Sequence, residues 1–297
     1  MLPDEWIVGG PNCMEVPDFQ VHEYNPDFLI LRQSGCSHYE KPFLYLIFGK
    51  EKALLLDTGA GTPDVRTVVM TAVKKWCERN GRESIPLIVA HTHNHSDHVA
   101  GDKQFQGIPD VTFVGADLDT AVQYWGFKSW PDEILEYDLG DRVLEIFGVP
   151  GHQRASIAVY DRETAILISG DIVYPGRLYI DDPAAFTASI DRMIEFTATR
   201  PVSHVLGCHI EQTDTPYLEY PIGSIYQPNE HELELNRGNL LELQAVVREM
   251  GGDFKRFAMR DLTIYPVGPE IWKALRARRA EVEGAQRKTQ FNQSEAK

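Results

Sequence analysis

Ile85-Pro86-Leu87-Ile88-Val89-Ala90 runs through His91 and Thr92 into His93-Asn94-His95-Ser96-Asp97-His98, and this stretch decides the fold. The apolar run reads as a buried strand. Residues i and i+2 of a strand share a side, so His93 and His95 can reach one metal ion from the strand's end. The chain must then turn, which carries Asp97 and His98 toward a second point. Imidazole nitrogen and carboxylate oxygen are ligands that suit zinc or iron. A polar loop with solvated histidines would contain the same six residues. Against it stands the rest of the chain, which carries further ligand-type residues in a repeated setting.

Asp57 follows Leu54-Leu55-Leu56, His152 follows Val149-Pro150-Gly151, Asp171 follows Ile168-Ser169-Gly170, and His209 follows Leu206-Gly207-Cys208. Most of these share one form: an apolar run, a Gly or Pro, then a polar residue. Active-site loops at strand ends have this form. Together the five motifs resemble the metallo-β-lactamase superfamily, in its glyoxalase II-like hydrolase branch, over residues 28 to 210. The resemblance implies an αββα sandwich with metals at one edge between two sheets. It implies that His93, His95 and His152 hold a first ion, that Asp97, His98 and His209 hold a second, and that Asp171 bridges them. The cofactors so implied are two divalent ions, zinc first, with iron or manganese as alternatives. Ions ~3.5–4 Å apart can share a water and lower its pKa toward ~7. Asp57 is expected to buttress the metal loop rather than to ligate.

Asp171 also narrows the branch. True metallo-β-lactamases usually lack an aspartate at this point, so the resemblance favours thioesterase, lactonase and phosphodiesterase relatives. Asp171-Ile172-Val173-Tyr174 is a D-x-x-Y string, as in acyl-homoserine lactonases, and it makes Tyr174 a candidate donor to a developing oxyanion. A tyrosine packed at a loop mouth is the competing reading. The basic residues with which glyoxalase II enzymes hold glutathione are not recognisable in the C-terminal segment.

Composition fits an ordinary globular enzyme: 297 residues, 43% hydrophobic and 25% charged. The net charge of −15 argues against nucleic acid, which needs phosphate-neutralising Lys and Arg. The N-terminus lacks a basic and an apolar signal region, and no apolar run approaches membrane-spanning length. Cys13, Cys36, Cys77 and Cys208 have no C-x-x-C spacing and read as unpaired thiols of a reducing, cytoplasmic compartment. Cys208 reads as a small buried thiol rather than a ligand.

Three regions are expected: an extended arm over 1–26, a catalytic domain over 27–214, and a C-terminal helical extension over 215–297. Strands are expected at 28–32, 43–48, 52–57, 86–91, 112–115, 142–149, 155–160, 165–169 and 203–207. Helices are expected at 63–79, with Thr62 as N-cap, and at 183–197, 231–250 and 271–280, with a polar, disordered tail from Glu281. The extension is read as packing on the sandwich or forming a homodimer contact. Tyr124 to Trp130 is an aromatic cluster in a loop, suited to an acyl pocket or to plain packing. Gly176-Arg177-Leu178-Tyr179, which follows Asp171, is a further run that can face the pocket. His91 is not expected to ligate, and His22, His38, His204 and His231 have no partner in sequence.

The sequence therefore points to a dinuclear hydrolase that attacks an ester, thioester or lactone carbonyl of a small molecule. The alternatives are a β-lactamase, a mononuclear iron dioxygenase of the persulfide type, and a non-catalytic metal-binding protein. In the second of these, Asp97 and His98 would have no role.

Overall fold

The runs that alternate least are the most informative about layering. Phe43-Leu44-Tyr45-Leu46-Ile47-Phe48 is buried at every position. A strand buried on both faces must be covered on both, and it needs no polar alternation. In the computed structural model, which describes residues 1–3, 5–9 and 16–295 with side chains through Ala285, this strand has a sheet on one side and a helix on the other.

The first sheet contains β1 (Phe19–Asn25), β2 (Phe28–Gln33), β3 (Phe43–Phe48), β4 (Ala53–Leu56), β5 (Leu87–Ala90) and β6 (Val111–Phe113), in that spatial order. The second has the order β13 (Glu234–Leu235), β12 (His204–Gly207), β10 (Ile166–Gly170), β9 (Ile157–Asp161), β8 (Val143–Gly148), β7 (Ile134–Asp138). Phe43, Tyr45 and Ile47 point into the layer between the sheets, where they meet Ile146, Val159 and Ile168. Leu44, Leu46 and Phe48 point outward against α1 (Val65–Arg79), through Val69, Val73 and Trp76. The second sheet is covered by α4 (Pro183–Thr197) and α5 (Arg237–Met250), with Phe186, Ile190, Leu240 and Leu243 on Leu167 and Val205. This is the expected αββα sandwich.

The structure revises several local expectations. The arm is not wholly separate, because β1 pairs antiparallel with β2 and extends the first sheet. Its alternation of buried Phe19 with more exposed residues suits an edge strand. Helix α1 is capped by Asp64, whose carboxylate accepts from the Thr67 amide at 2.9 Å; Thr62 is not the cap. The segment after 214, expected to be a helical extension, is not helical alone. It supplies β13 to the second sheet and helix α5 to the core. It also supplies β14 (Phe257–Ala258) and β15 (Thr263–Pro266), and β15 pairs in parallel with β11 (Arg177–Ile180) in a small third sheet. The expected disordered tail continues instead as α6 (Pro269–Glu295). The aromatic cluster begins inside α3 (Leu118–Trp125) and packs with Tyr137 and Phe127 against the inter-sheet core. Cys36 is disulfide-bonded, which corrects the expectation of unpaired thiols and removes the argument from thiols for a reducing compartment. Cys77 and Cys208 are free and buried, and Cys13 lies outside the described residues. Among the described residues no helix is long and apolar enough to cross a membrane.

Candidate metal centre

Five strand ends deliver the candidate residues to one edge. β4 ends at Asp57, β5 leads to His93 and His95, β8 leads to His152, β10 leads to Asp171 and β12 leads to His209. After His95 the chain turns into α2 (Ser96–Val99), whose first turn carries Asp97 and His98. Two glycines let the loops approach. A Cβ on Gly151 would lie 2.5 Å from Phe186 Cα, and one on Gly207 would lie 2.3 Å from Tyr174 Cβ.

The result is two adjoining clusters. His93, His95 and His152 form one, and Asp97, His98, Asp171 and His209 form the other. All are buried except His95, which is partly open. Asp171 Oδ2 lies between them, 3.8 and 3.7 Å from Nε2 of His93 and His152, and 3.5 and 3.4 Å from Nε2 of His98 and His209. Asp97 Oδ2 is 3.5 Å from His98 Nε2 and 3.3 Å from His209 Nε2.

The outer nitrogens fix how the inner ones point. His152 Nδ1 donates to the Tyr179 carbonyl at 2.7 Å, His209 Nδ1 to the Glu40 carbonyl at 2.9 Å, and His98 Nδ1 to Asp57 at 2.9 Å. In the neutral rings each Nε2 is then a lone pair. These lone pairs face other nitrogens: His152 Nε2 is 2.9 Å from His95 Nδ1, His93 Nε2 is 3.1 Å from the same atom, and His209 Nε2 is 3.3 Å from His98 Nε2. Asp171 Oδ1 is buried with no hydrogen-bond partner. Converging lone pairs and an orphaned carboxylate oxygen are what a cation satisfies, so the residues present fit divalent ions.

Charge divides the clusters in the same way. Burial pushes His93 well below the usual imidazole range, aided by His98, and burial with His152 lowers His95 to about 3. His152 is lowered by burial too. Burial opposes the proton at His209 as well, but Asp171 and Asp97 overcome it and raise the pKa to about 10. Asp171 resists its own burial through His209, His98 and His93, which hold its carboxyl well below the usual carboxylate range.

Asp57 lies with His98 and Cys208 in a third grouping of ligand-type atoms, but its carboxylate already accepts from protein donors. It adopts a left-handed φ of 69°, accepts the Thr92 amide and hydroxyl at 2.8 Å each, and holds His98. Asp tolerates that conformation better than most residues. Cys208 Sγ sits 3.6 Å from the same carboxylate, behind the ligands. His91 is engaged with Asp102 at 2.8 Å. Tyr174 is the exception to the expected geometry. Its ring packs edge-on to His209, but its hydroxyl donates to the Arg177 carbonyl and lies 3.3 Å from Glu211. That proton is already donated within the protein.

Sequence reasoning missed the C-terminal side of the site. Trp272 of α6 lies 6.1 Å from the His95 ring and stacks at 28° on Tyr179. Arg279 pairs with Glu40 at 3.1 Å. The available signal was Trp272, Arg276, Arg279 and Glu283 at i, i+4, i+7 and i+11, one stripe of a helix.

The sequence model of the metallo-beta-lactamase superfamily matches residues 42–245, and the chain belongs to that superfamily. Among curated proteins it is similar to the acyl-coenzyme A thioesterase MBLAC2 of Gallus gallus, 26% identical over 62% of this chain and 77% of that protein. The Homo sapiens protein of the same name is 27% identical over 56% and 72%. A hydroxyacylglutathione hydrolase of Gloeothece citriformis is 32% identical over 42% of this chain and 49% of its own length, about half of that relative. Among solved structures, a metallo-beta-lactamase from Erythrobacter litoralis superposes with a TM-score of 0.51 at 15% identity, covering 79% of this chain and 98% of that one. That likeness carries the fold alone.

Proposed function

We propose that this chain is a dinuclear metal-dependent hydrolase of small-molecule thioesters. The observation that carries the reading is the pair of clusters meeting at Asp171, with the inner nitrogens of His98, His152 and His209 turned inward by outer hydrogen bonds. His93, His95 and His152 would hold one ion, Asp97, His98 and His209 would hold the other, and Asp171, which lies between the clusters, would be shared. When bound, two such ions activate water and polarise a carbonyl oxygen. The chain's own residues fix the geometry. Asp57 orients His98 and the start of the metal loop, while the carbonyls of Tyr179 and Glu40 orient His152 and His209. In the overall reaction, water oxygen adds to the acyl carbon and the C–S bond breaks. A carboxylate and a thiol leave.

Thioesters are preferred over lactones and simple esters because acyl-coenzyme A and hydroxyacylglutathione, the substrates in the relatives' names, are both thioesters. The mononuclear dioxygenase reading leaves Asp97, His98 and His209 without a task. Zinc is the expected ion, and histidine-rich sites also accept iron or manganese. Protein grown with excess zinc should approach two equivalents by elemental analysis. Assayed against thioester, lactone, β-lactam and phosphodiester panels, it should favour thioesters by about tenfold or more in kcat/KM. A firm limit of one equivalent, with Asp97 and His98 dispensable, contradicts the dinuclear assignment. A stronger lactone than thioester activity contradicts the substrate assignment.

A further inference from the structure

The Glu40 carbonyl that orients His209 sits in the loop joining β2 to β3, residues 34–42. This loop turns on itself. The Ser37 and His38 amides donate to the Ser34 carbonyl at 3.0 and 3.1 Å, and the Lys41 amide donates to the His38 carbonyl at 3.2 Å. Turns of this kind set the shape of a loop but not its distance from a neighbouring strand. A side chain that ties the loop to another part of the chain can set that distance, and Lys41 is placed to do so.

Lys41 is unusual in burial, partners and backbone. It is 2% exposed, so its ammonium lies inside the protein. Among the described residues it forms no ion pair; it donates instead to the Tyr39 carbonyl at 2.9 Å and the Ser224 carbonyl at 2.7 Å. Burial pushes its pKa down to about 8, with Glu230 opposing the shift and Arg32 adding to it. Its φ of 48° is left-handed, which is costly for a residue with a Cβ. A buried charge on a strained backbone persists where the surroundings over-determine it, and such positions gather where geometry serves function.

The two acceptors belong to different parts of the chain. Tyr39 precedes Glu40, and Ser224 lies in the segment between β12 and β13. Lys41 therefore braces the peptide before Glu40 against that segment. Gly35 allows the close approach: a Cβ there would collide with the Ile225 carbonyl and meet Lys41 Cδ at 3.0 Å. The Glu40 side chain is held separately, by Arg279 at 3.1 Å. His152 is oriented in another way. Its acceptor, the Tyr179 carbonyl, lies within β11, whose ladder with β15 fixes it.

We propose that Lys41 is a positioning residue for the second cluster: it sets the Glu40 carbonyl and, through it, the direction of His209 Nε2. The consequence for metal binding rests on the dinuclear reading. Loss of a direct outer partner of a ligating imidazole costs about 10–100-fold in metal affinity. Lys41 stands one link further out, so its effect belongs at the lower end.

The test compares the full chain with Lys41→Met, which keeps the volume and removes the charge and both donors. Metal-free protein is titrated with zinc against a chromophoric chelator, giving two dissociation constants, and with cobalt(II), whose visible spectrum reports ligand geometry. The second ion should bind about tenfold more weakly in the variant, with its cobalt spectrum altered. The first ion should stay within about twofold of the parent. Equal effects on both ions, or on neither, overturn the proposal. If Lys41→Met does not fold, Lys41→Gln, which is shorter and keeps a donor, is read by the same constants; failure of both to fold makes Lys41 a core residue and overturns the proposal too. A readout without metal separates this inference from the dinuclear reading. In metal-free parent the His209 Nδ1 proton, donated to Glu40, should be protected from solvent exchange by nitrogen NMR, and in the variant it should exchange about tenfold faster or more. If the parent holds only one ion, the dinuclear reading fails while this proton still decides the brace. Equal protection in the two proteins overturns the brace whatever the metal content.

Discussion

Strand β8 connects two buried polar regions. Just before its start, Arg142 meets Asp161 through two contacts, Nε to Oδ1 at 3.1 Å and Nη2 to Oδ2 at 2.6 Å. The same guanidinium donates to the carbonyls of Asp27 and Phe48, at 2.9 and 3.1 Å, in the facing sheet. Beyond the other end of β8, His152 enters the metal edge, where imidazole lone pairs face one another and Asp171 Oδ1 has no partner. Both regions bury charge between the sheets. In the first, protein groups satisfy each other and the sheets are tied together. In the second, some atoms are left open, and on the proposed reading cations satisfy them. Buried polarity that closes on itself is structural, and buried polarity left open marks a site.

The largest expected effect is at the closed end. Arg142→Ala leaves the Asp161 carboxylate buried without its partner and should cost about 3–5 kcal/mol of unfolding free energy. Zinc stoichiometry measured below the new transition should be unaffected. A loss under about 1 kcal/mol by denaturant titration would mean that this end is not the tie it appears in geometry.

At the open end the same kind of change should act on chemistry instead. Asp171→Asn removes a negative charge placed between two cations. It should lower zinc content toward one equivalent and turnover by about a hundredfold. The metal-free protein should lose less stability than Arg142→Ala loses, since Oδ1 has no partner and only Oδ2 faces the His209 imidazole. Parent-like turnover rules out the bridging role, and a large drop in the metal-free melting temperature would make the two ends alike.

How much of this contrast is legible in sequence depends on the range of the contacts. H-x-H-x-D-H after an apolar strand is local, and so are the glycine-preceded His152 and Asp171 and the run Gly207-Cys208-His209. The layers are legible too, because strands covered on both faces lose their alternation, as in Phe43–Phe48. The wall formed by α6 is not, because Trp272 and His95 lie 177 positions apart and only β11–β15 pairing brings them together. The direction of the Tyr174 hydroxyl is not legible for a related reason. D-x-x-Y locates the ring but not the hydroxyl, whose direction is set by Glu211 and by the backbone turn at Arg177.

That placement gives the smallest expected effect. Tyr174→Phe removes a donor already spent on a backbone carbonyl, so turnover on thioesters should stay within about twofold, well short of the 10²–10³ that loss of an oxyanion donor can cost. The Arg177 carbonyl loses one donor and stability falls by about 1 kcal/mol. A drop of tenfold or more at saturating substrate would return the phenol to the chemistry and show that it turns toward substrate.

The parallel pairing of β15 with β11 has a consequence for how such a protein diversifies. The candidate ligands sit in loops between strands of the sandwich, while Trp272, which faces His95, rides on a helix that begins three residues after β15 ends. Exposed positions of that helix, such as Arg276, can therefore vary without disturbing the ligand edge. Trp272 and Arg279 are less free, because they touch Tyr179 and Glu40, whose carbonyls hold His152 and His209. A lineage can keep that edge and rewrite the surface beside it at the outward positions of one helix.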